Sequence, residues 1–348
     1  MRHPIIEEDL HFISSVKLEW ECFRGKTILV TGGNGFLPAY MIETILFINE
    51  KLPSDLKSRV IVLARNKEYA IKRFEHYIGR PDLSFLIQDV CNPLNITEKI
   101  DYIIHAASNA SPKYYGNDPV GTLCPNVIGT YHLLEYARRK GVEAFLFFSS
   151  GDVYGDLPSD MIPARENYFG PLDPLQVRSC YAESKRMGEN MCISWHHQYD
   201  ICVKIIRPTH TYGPGMKLDD GRVFSDFVAD IVNDRDITLY SDGTAIRSFC
   251  YLADAVAGFF TVLFKGENGD AYNIGTGEET SIMELAQMLV SLFPEKNLRV
   301  IQKELPKDSN YIKSKIIRGN MDIAKIIGIG WRPSFSVKEG FLRTIRSF

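Results

Sequence analysis

The chain has 348 residues, enough for about two folding units at roughly 150 residues each. Its 40 basic and 43 acidic residues leave a net charge of −3, which argues against a protein that binds nucleic acid or membrane surfaces by bulk electrostatics. Hydrophobic residues make up 45% and charged residues 24%, values typical of a globular protein with a buried core, and they exclude a disordered or fibrous chain.

Membrane and secretory classes also fit the sequence poorly. The longest apolar run, residues 255–264, is about half the length that a membrane span requires. Glu7, Glu8 and Asp9 stand where a secretory signal would carry a cationic start and an apolar stretch. Seven cysteines occur without a C-x-x-C motif, which argues against a disulfide framework or a zinc site. We therefore expect a cytoplasmic protein with reduced thiols and no metal, membrane or nucleic-acid partner.

In chain order, residues 1–25 form an N-terminal extension with a short helix predicted near 5–16. Apolar strands then alternate with helical patterns. Strands are predicted at residues 27–31, 59–64, 83–88, 102–105, 144–149 and 203–207, and helices at 36–49, 67–78, 119–140 and 179–199. Strands that are apolar on both faces and alternate with helices indicate a parallel sheet covered on both sides. Residues 26–207 are therefore predicted to form a Rossmann-type, doubly wound α/β domain.

The pattern changes after Arg207. Turn-rich stretches at 212–215, 219–221 and 241–243 separate shorter elements. This predicts a smaller mixed lobe over residues 208–348, in which 271–275 is a candidate to return a strand to the main sheet.

A glycine-rich segment, TGGNGFL, follows the first strand and opens the first helix. Glycines there let the backbone turn tightly and approach a pyrophosphate, and the helix N-terminus offers N–H donors. Pro38 replaces the third glycine of the usual spacing, at a helix position where a missing N–H costs little. The candidate cofactor contacts in this segment are Gly32, Asn34, Gly35, Phe36 and Leu37.

Three later strand ends supply further candidate cofactor contacts. An acidic residue after the second strand favours NAD and a basic one favours the 2′-phosphate of NADP, so Arg65 leaves NADP open. Asp89 and Val90 follow the third strand and are candidates to contact the adenine. The turn after the fourth strand, at the edge where an open sheet binds ligands, adds Ala106, Ala107 and Ser108.

A tyrosine and a lysine four residues apart share one face of a helix. A nearby ammonium lowers the pKa of a phenol, which makes tyrosine a usable base near neutral pH. This spacing occurs in the chain as Tyr136/Lys140, Tyr181/Lys185 and Tyr311/Lys315. Only the second pair follows a strand that ends in two serines, Ser149 and Ser150, so Tyr181 and Lys185 are the candidate catalytic pair. The other two pairs are expected to be exposed helix residues.

Taken together, residues 25–345 resemble the extended short-chain dehydrogenase/reductase family, in particular its nucleotide-sugar epimerases, dehydratases and decarboxylases. The segments that carry the resemblance are TGGNGFL, HAAS, NVIGTYHLLEYA, SSGDVYG, YAESK, RPTHTYGPG and GTAIRSFCYLADAV. The pattern is most similar to that of UDP-glucuronate decarboxylases, through 110–112 with Tyr114 or Tyr115, 178–181, 220–223 and 247–251. The resemblance implies an enzyme with tightly bound NAD or NADP that remodels a nucleotide sugar, usually in polysaccharide synthesis.

The resemblance also implies a redox-neutral cycle through a 4-keto sugar. Tyr181 would take the proton of the C4 hydroxyl, Ser150 would hydrogen-bond that hydroxyl, and Lys185 would hold the cofactor ribose. Subfamilies differ in the two residues after the serine, which here are Gly151 and Asp152. Asp152 stands where a glutamate acts in decarboxylases, so it would be a base for a proton on carbon, a residue that holds a water molecule, or a local cap. Gly151 leaves room beside the sugar.

The same resemblance implies the substrate side and the assembly. Arg222 and Arg247 would neutralise the diphosphate, a task that suits a planar cation with several donors. Helices 119–140 and 179–199 would pair in a homodimer through a four-helix interface, and residues 1–25 would cover the body, extend that contact or stay mobile. Apolar candidates for the interface are Leu133, Leu134 and Tyr136. The remaining expected contacts are Tyr181, Lys185 and Arg207 for the cofactor, and Ser111, Tyr115, Ser150, Gly151, Arg178 and Tyr251 for the substrate.

Four interpretations remain open at this point. Decarboxylation of UDP-glucuronate comes first, on motif similarity. An epimerase acting at C4, C3 or C5 follows, because Gly151 and Asp152 match no subfamily fully. A net oxidoreductase is the third. The fourth is a protein that is not an enzyme, namely a regulatory module that binds the cofactor without turnover. The presence of Ser150, Tyr181 and Lys185 argues against it.

Overall fold

Strands and helices alternate through the N-terminal part of the computed structural model, which describes residues 2–303 and 318–348. The strands within these residues are β1 (Thr27–Thr31), β2 (Arg59–Ala64), β3 (Leu83–Ile87), β4 (Tyr102–His105), β5 (Ala144–Phe148), β6 (Val203–Pro208), β7 (His210–Tyr212), β8 (Ile237–Leu239), β9 (Ile246–Arg247), β10 (Phe249–Tyr251), β11 (Asp270–Ile274), β12 (Thr280–Ser281), β13 (Val300–Gln302) and β14 (Arg318–Gly319). The α-helices are α1 (Pro4–Ser15), α2 (Phe36–Asn49), α3 (Lys67–Arg73), α4 (Pro112–Asn117), α5 (Pro119–Cys124), α6 (Thr130–Lys140), α7 (Cys180–Tyr199), α8 (Val223–Val232), α9 (Leu252–Lys265), α10 (Ile282–Ser291), α11 (Ala324–Gly328) and α12 (Val337–Arg346).

Within the described part of the chain, the central sheet has seven parallel strands in the order β11-β6-β5-β4-β1-β2-β3. The predicted doubly wound parallel sheet is therefore confirmed. The strand order reverses between β1 and β4, so the chain leaves these neighbouring strands in opposite directions and opens a crevice at their carboxyl ends. The strand at one edge, β11, comes from the C-terminal part of the chain and lies beside β6.

Both faces of the sheet are buried, because successive residues of a strand point to opposite sides. In β1, Ile28 and Val30 pack with residues of α2 and α9 on one face, and Leu29 packs with residues of α6 and α7 on the other. This two-sided burial explains why short continuous apolar runs predicted the strands.

Two helices differ from the predictions. The helix predicted at 67–78 ends as α3 at Arg73 and continues as a 3-10 turn at Glu75–Tyr77. The helix predicted at 119–140 contains a π turn at Pro125–Gly129 between α5 and α6, because the nitrogen of Pro125 carries no hydrogen for the helical ladder.

The predictions for the outer surface of α6 are wrong. Leu133, Leu134 and Tyr136 are buried in the core of the same chain, and the Tyr136 hydroxyl donates to Glu98 O at 3.1 Å. They are buried because the apolar stripe of α6 faces the sheet, so they are not available for a dimer contact and Tyr136 is not an exposed residue. The pair Tyr311/Lys315 lies outside the described residues.

The N-terminal extension covers the body of the protein. Helix α1 packs against α2 and α9, and its Asp9 is fully buried. The Asp9 carboxylate accepts hydrogen bonds from the hydroxyls of Tyr40 (2.8 Å) and Tyr251 (2.7 Å) and pairs with Arg343 of α12 (2.8 Å). One buried carboxylate therefore joins the extension to the first domain and to the C-terminal lobe.

Short sheets and helices build the C-terminal lobe. Within the described residues, β10 pairs with β7, β13 with β8, and β9 lies between β12 and β14. Helices α8, α10 and α12 pack against one another. Over 2–303 and 318–348, the helices are all too short or too polar to cross a membrane.

A buried carboxylate in α9 gives the fold a pH dependence. Asp254 accepts the N–H groups of Ser334 and Phe335 at 2.9 Å, and burial raises its pKa from 3.8 to about 7. Because the folded state holds this proton more tightly than the unfolded state, Asp254 contributes a stability that is lost as the pH rises from about 4 to 7. Urea unfolding at several pH values should therefore show that, over this range, the free energy of unfolding of the wild type decreases relative to that of Asp254→Asn. The exposed Asp55→Asn should keep the wild-type slope, and equal slopes in all three proteins would contradict the assignment.

Candidate functional site

A cleft of about 1030 Å³ lies at the carboxyl ends of the central strands, between the sheet and the C-terminal lobe. It is the crevice that the reversal of strand order creates. The predicted site residues that line it are Gly32, Asn34, Gly35, Phe36, Leu37, Arg65, Asp89, Val90, Ala106, Ala107, Ser108, Ser111, Tyr115, Ser150, Gly151, Asp152, Arg178, Tyr181, Lys185, Arg222 and Arg247.

The glycine-rich loop brings two strand ends into close contact. Gly32 has a φ of +63°, and a Cβ at this position would lie 2.7 Å from Ala107 Cα. Only glycine meets both conditions without strain. The helical ladder of α2 begins with the Ala39 N–H, which donates to Gly35 O at 3.1 Å, so Pro38 replaces an N–H that has no helical partner. The remaining N–H groups of the first turn are available to an anion at the helix N-terminus.

A buried histidine fixes this arrangement, and the sequence motifs did not assign it a role. The Thr31 hydroxyl lies 2.7 Å from His105 Nδ1 and accepts the Ala107 N–H at 3.2 Å. His105 Nε2 lies 3.2 Å from Pro125 O. Burial lowers the pKa of His105 to about 3, so the ring is neutral and donates from Nε2. His105 stands directly before the predicted cofactor contacts at 106–108, and this position in the sequence could have indicated its structural role.

Tyr181 and Lys185 lie on one face of α7 and are buried at the floor of the cleft. The Tyr181 ring stacks on Tyr115, with centroids 5.0 Å apart and planes 13° apart. Lys185 Nζ donates to Phe148 O at 2.6 Å and lies 5.7 Å from the centre of the Tyr181 ring. The packing thus fixes the pair at the end of β5, beside Ser150.

The pKa values of this pair differ from the expectation that the ammonium lowers the pKa of the phenol. Burial raises the pKa of Tyr181 above its ordinary value, although the nearby Ser150 hydroxyl lowers it. Burial also lowers the pKa of Lys185 to about 7. Desolvation is therefore the largest influence on both pKa values, because a dry pocket disfavours the charged form of each group.

Asp152 lies in the 3-10 turn Gly151–Tyr154 that follows β5, and its N–H donates to Ser150 Oγ at 3.2 Å. Burial raises the pKa of Asp152, and the positive charges of Arg178, Arg222 and Arg247 oppose the increase. A carboxyl group with a raised pKa is able to hold a proton closer to neutral pH and to release it to a reacting atom.

The arginines at the far end of the cleft have fixed partners. Arg222 pairs with Asp220, and its guanidinium carbon lies 5.4 Å from the centre of the Phe224 ring. The Ser111 hydroxyl donates to Asp220 O. Arg247 Nη1 donates to Ile246 O at 2.8 Å. The two guanidinium groups, together with Arg178, give this end of the cleft a positive potential suited to a diphosphate.

Two predicted contacts are not part of the cleft lining. Arg207 forms a buried ion pair with Glu189 at 2.6 Å and donates to the Tyr154 hydroxyl at 3.1 Å, so its charge is used inside the core. The Tyr251 hydroxyl donates to the buried Asp9, as described for the N-terminal extension. The structure therefore corrects both assignments, because the donors of each side chain are committed to buried acceptors.

The cleft fits a dinucleotide. Because Gly32 packs directly against the backbone of Ala107, the phosphate loop and the turn at 106–108 form one cradle, and the N-terminus of α2 opens into it. The buried Ser108 Oγ also lines the cleft and has no hydrogen-bond partner among the described residues, which fits a polar group supplied by a ligand.

Comparison with known proteins agrees with this geometry. UDP-glucuronic acid decarboxylase 6 of Arabidopsis thaliana is 36% identical over 314 residues, covering 90% of this chain and 86% of that protein. UDP-glucuronic acid decarboxylase 1 of Danio rerio is 32% identical over 352 residues, covering 100% of this chain and 79% of that protein.

Solved structures show the same fold. UDP-glucose 4-epimerase from Thermotoga maritima has a TM-score of 0.78 at 23% identity, covering 92% of this chain and 98% of that one. A dTDP-glucose 4,6-dehydratase from Streptomyces venezuelae, crystallised with NAD, has a TM-score of 0.76 at 26% identity, covering 92% and 96%. The sequence model of the NAD dependent epimerase/dehydratase family matches residues 28–275. With a match over most of its length and relatives above 30% identity, the chain belongs to the NAD dependent epimerase/dehydratase family.

Proposed function

We propose that the protein is an NAD-dependent enzyme that decarboxylates UDP-glucuronate to UDP-xylose. The observation that carries the proposal is the convergence of Ser150, Asp152, Tyr181 and Lys185 in one cleft that also has a dinucleotide cradle and an arginine-lined end. The similarity to UDP-glucuronic acid decarboxylases over 90% of the chain supports the choice of substrate.

Residues of α7 and of the segment that follows β5 carry out the proton chemistry at C4 of the sugar. NAD, when bound, supplies the hydride acceptor for the oxidation at C4 and the hydride donor for the final reduction. Tyr181 Oη takes the proton of the C4 hydroxyl, and Ser150 Oγ orients that hydroxyl. Lys185, fixed by Phe148 O, holds the cofactor ribose, and the fraction of Lys185 that is protonated near its pKa of about 7 stabilises the tyrosinate.

Asp152 acts on the 4-keto sugar. A carboxylate at C5 is β to the ketone, so it leaves as carbon dioxide and its bonding electrons form an enolate. C5 then needs a proton. Asp152 supplies it, because burial raises the pKa of this carboxyl group and it lies two residues from Ser150.

Mass spectrometry of UDP-glucuronate incubated with the protein tests the proposal. The product should be lighter than the substrate by the mass of carbon dioxide, and protein lacking the Tyr181 hydroxyl should form it roughly a thousandfold more slowly. A new isomer of unchanged mass would instead indicate a 4-epimerase and overturn the decarboxylase assignment.

Arg65 extends the cofactor range to NADP. It follows β2, at the position that faces the adenosine ribose in a Rossmann site, and it lines the cleft. Removing one charged donor of a phosphate should cost roughly tenfold in affinity. Arg65→Ala should therefore weaken NADP binding by about that factor and leave NAD binding nearly unchanged in calorimetry. Lys72→Ala, which removes another cation that lines the cleft, is the control. Equal losses of affinity for NAD and NADP in Arg65→Ala would refute the role of Arg65.

The protein forms a homodimer through the outer faces of α5, α6 and α7. Val120 and Tyr131 are 70% and 45% exposed along the first two helices, and Met187 of α7 is 50% exposed. These apolar side chains take the place of the buried residues that the sequence had suggested. In sedimentation experiments Val120→Asp should shift the protein to the monomer mass, because a charge would be buried at the contact. Leu175→Asp, on an exposed loop, should stay dimeric, and a wild-type monomer would refute the interface.

The thiols support a cytoplasmic location. All seven cysteines are free, and Cys192 and Cys250 are buried as small apolar residues. Reduced thiols of this kind are typical of a reducing compartment. A UDP-sugar made there would serve polysaccharide synthesis.

A further inference from the structure

The sugar end of the cleft is bounded by Met321, a residue that the sequence motifs do not single out. We propose that Met321 determines which sugars the cleft accepts, because its thioether fills the space beside Gly151. The inference rests on the proposed nucleotide-sugar site and assigns that site a specificity residue.

Gly151 lies directly against this side chain. A Cβ on Gly151 would lie 3.1 Å from Met321 Sδ and 3.8 Å from Met321 Cε. The expectation that Gly151 leaves room for a larger sugar substituent is therefore wrong, because the thioether already occupies that room. Ser150 and Asp152 flank Gly151 in the chain, so the thioether borders the place where the chemistry is proposed.

The main chain on both sides of Met321 is fixed. The Ala164 N–H donates to Asn320 O at 3.0 Å, and the Asp322 N–H donates to Ala164 O at 2.9 Å. The Met321 side chain is 6% exposed and packs with Tyr154 and Ala164. Shortening the side chain should therefore enlarge the cleft at this point and leave the segment that carries it in place.

The thioether presents an apolar wall beside two polar groups, Ser150 and Asp152. Such a wall selects by shape, since it donates no strong hydrogen bond to a sugar hydroxyl. One methylene in a pocket changes discrimination by about tenfold or more, and a methionine shortened to alanine removes several heavy atoms. Shortening Met321 should therefore change ligand affinity by an amount that depends on the sugar, and it should not change the binding of the UDP part.

Calorimetry with UDP, UDP-xylose and UDP-N-acetylglucosamine tests the inference, and none of these ligands is the proposed substrate. Met321→Ala should strengthen binding of UDP-N-acetylglucosamine relative to UDP-xylose by about tenfold. Gly151→Ala narrows the same space and should shift the ratio in the opposite direction. Binding of UDP alone should stay the same in both variants. Met216→Ala, which shortens another buried methionine of the cleft, should leave the ratio at its wild-type value.

An unchanged ratio in Met321→Ala, or the same shift in Met216→Ala, would overturn the role of Met321. If Met321→Ala does not fold, Gly151→Ala still narrows the space and the milder truncation Met321→Val still enlarges it, so the two variants test the space from both sides. If the variants show the expected shift in binding but the wild-type protein does not decarboxylate UDP-glucuronate, the proposed reaction is refuted. The role of Met321 in sugar specificity then still stands. If wild-type protein binds no UDP, the nucleotide-sugar site and this inference fail together.

Discussion

Replacing Tyr181 with phenylalanine should lower kcat on UDP-glucuronate by roughly a thousandfold, since a positioned acid–base group contributes about 10² to 10⁴. The substitution removes one hydroxyl and keeps the ring, which stacks on Tyr115 at 5.0 Å. The packing of α7 and the cofactor cradle at Gly32 should therefore remain intact. Steady-state kinetics measures the loss, and calorimetry with NAD should give a dissociation constant close to that of the wild type.

Tyr115→Phe is the matched control for loss of a phenol. The Tyr115 hydroxyl donates to Ala110 O at 3.0 Å, so its removal should affect the local backbone more than the proton transfer. Its kcat should fall much less than that of Tyr181→Phe. Substantial turnover by Tyr181→Phe would show that another group accepts the proton of the C4 hydroxyl. Weakened NAD binding in that variant would show that the loss arises from a disturbed cleft.

The central sheet was predictable because each of its strands is recognisable from its own amino-acid sequence. Runs such as 27–31 and 59–64 are apolar on both faces, and each matches a strand to within a residue. The phosphate loop was predictable for a related reason. Its glycines occur directly between a strand and a helix, and Gly32 meets a steric condition that no other residue type satisfies.

The errors at the site concern residues whose role depends on distant partners. Arg207 belongs to a strand at the cleft, but Glu189 of α7 binds its guanidinium inside the core. Tyr251 follows a sequence motif for substrate, but its hydroxyl points to Asp9 of the N-terminal helix. A motif gives the position of a side chain along the chain and not the direction in which it points.

The sequence motifs also could not predict contacts between segments that are distant in the chain. Met321 reaches Gly151 because β14 returns the chain to the cleft beside β9. The pKa of Tyr181 could not be predicted from its spacing to Lys185, since burial, which only the folded structure specifies, dominates both groups. Local spacing identified the participants, and packing determines their electrostatics.

Asp152→Asn should separate the two halves of the proposed reaction. The amide keeps the shape of the side chain and its place in the turn Gly151–Tyr154, but it cannot deliver a proton. Oxidation at C4, which relies on Tyr181, should continue, whereas the steps after it should slow by roughly a hundredfold or more. Stopped-flow absorbance should therefore show reduced cofactor that accumulates with the variant, and mass spectrometry should show little UDP-xylose.

The exposed Asp156→Asn, four residues along the chain, controls for loss of a carboxylate near this turn and should turn over like the wild type. Product formation by Asp152→Asn at the wild-type rate would exclude a proton-transfer role and leave only a capping one. Loss of product without accumulated reduced cofactor would place Asp152 at the oxidation step instead. These outcomes differ because Asp152 and Tyr181 are proposed to act at different carbons, so the accumulation of reduced cofactor reports which proton transfer has failed.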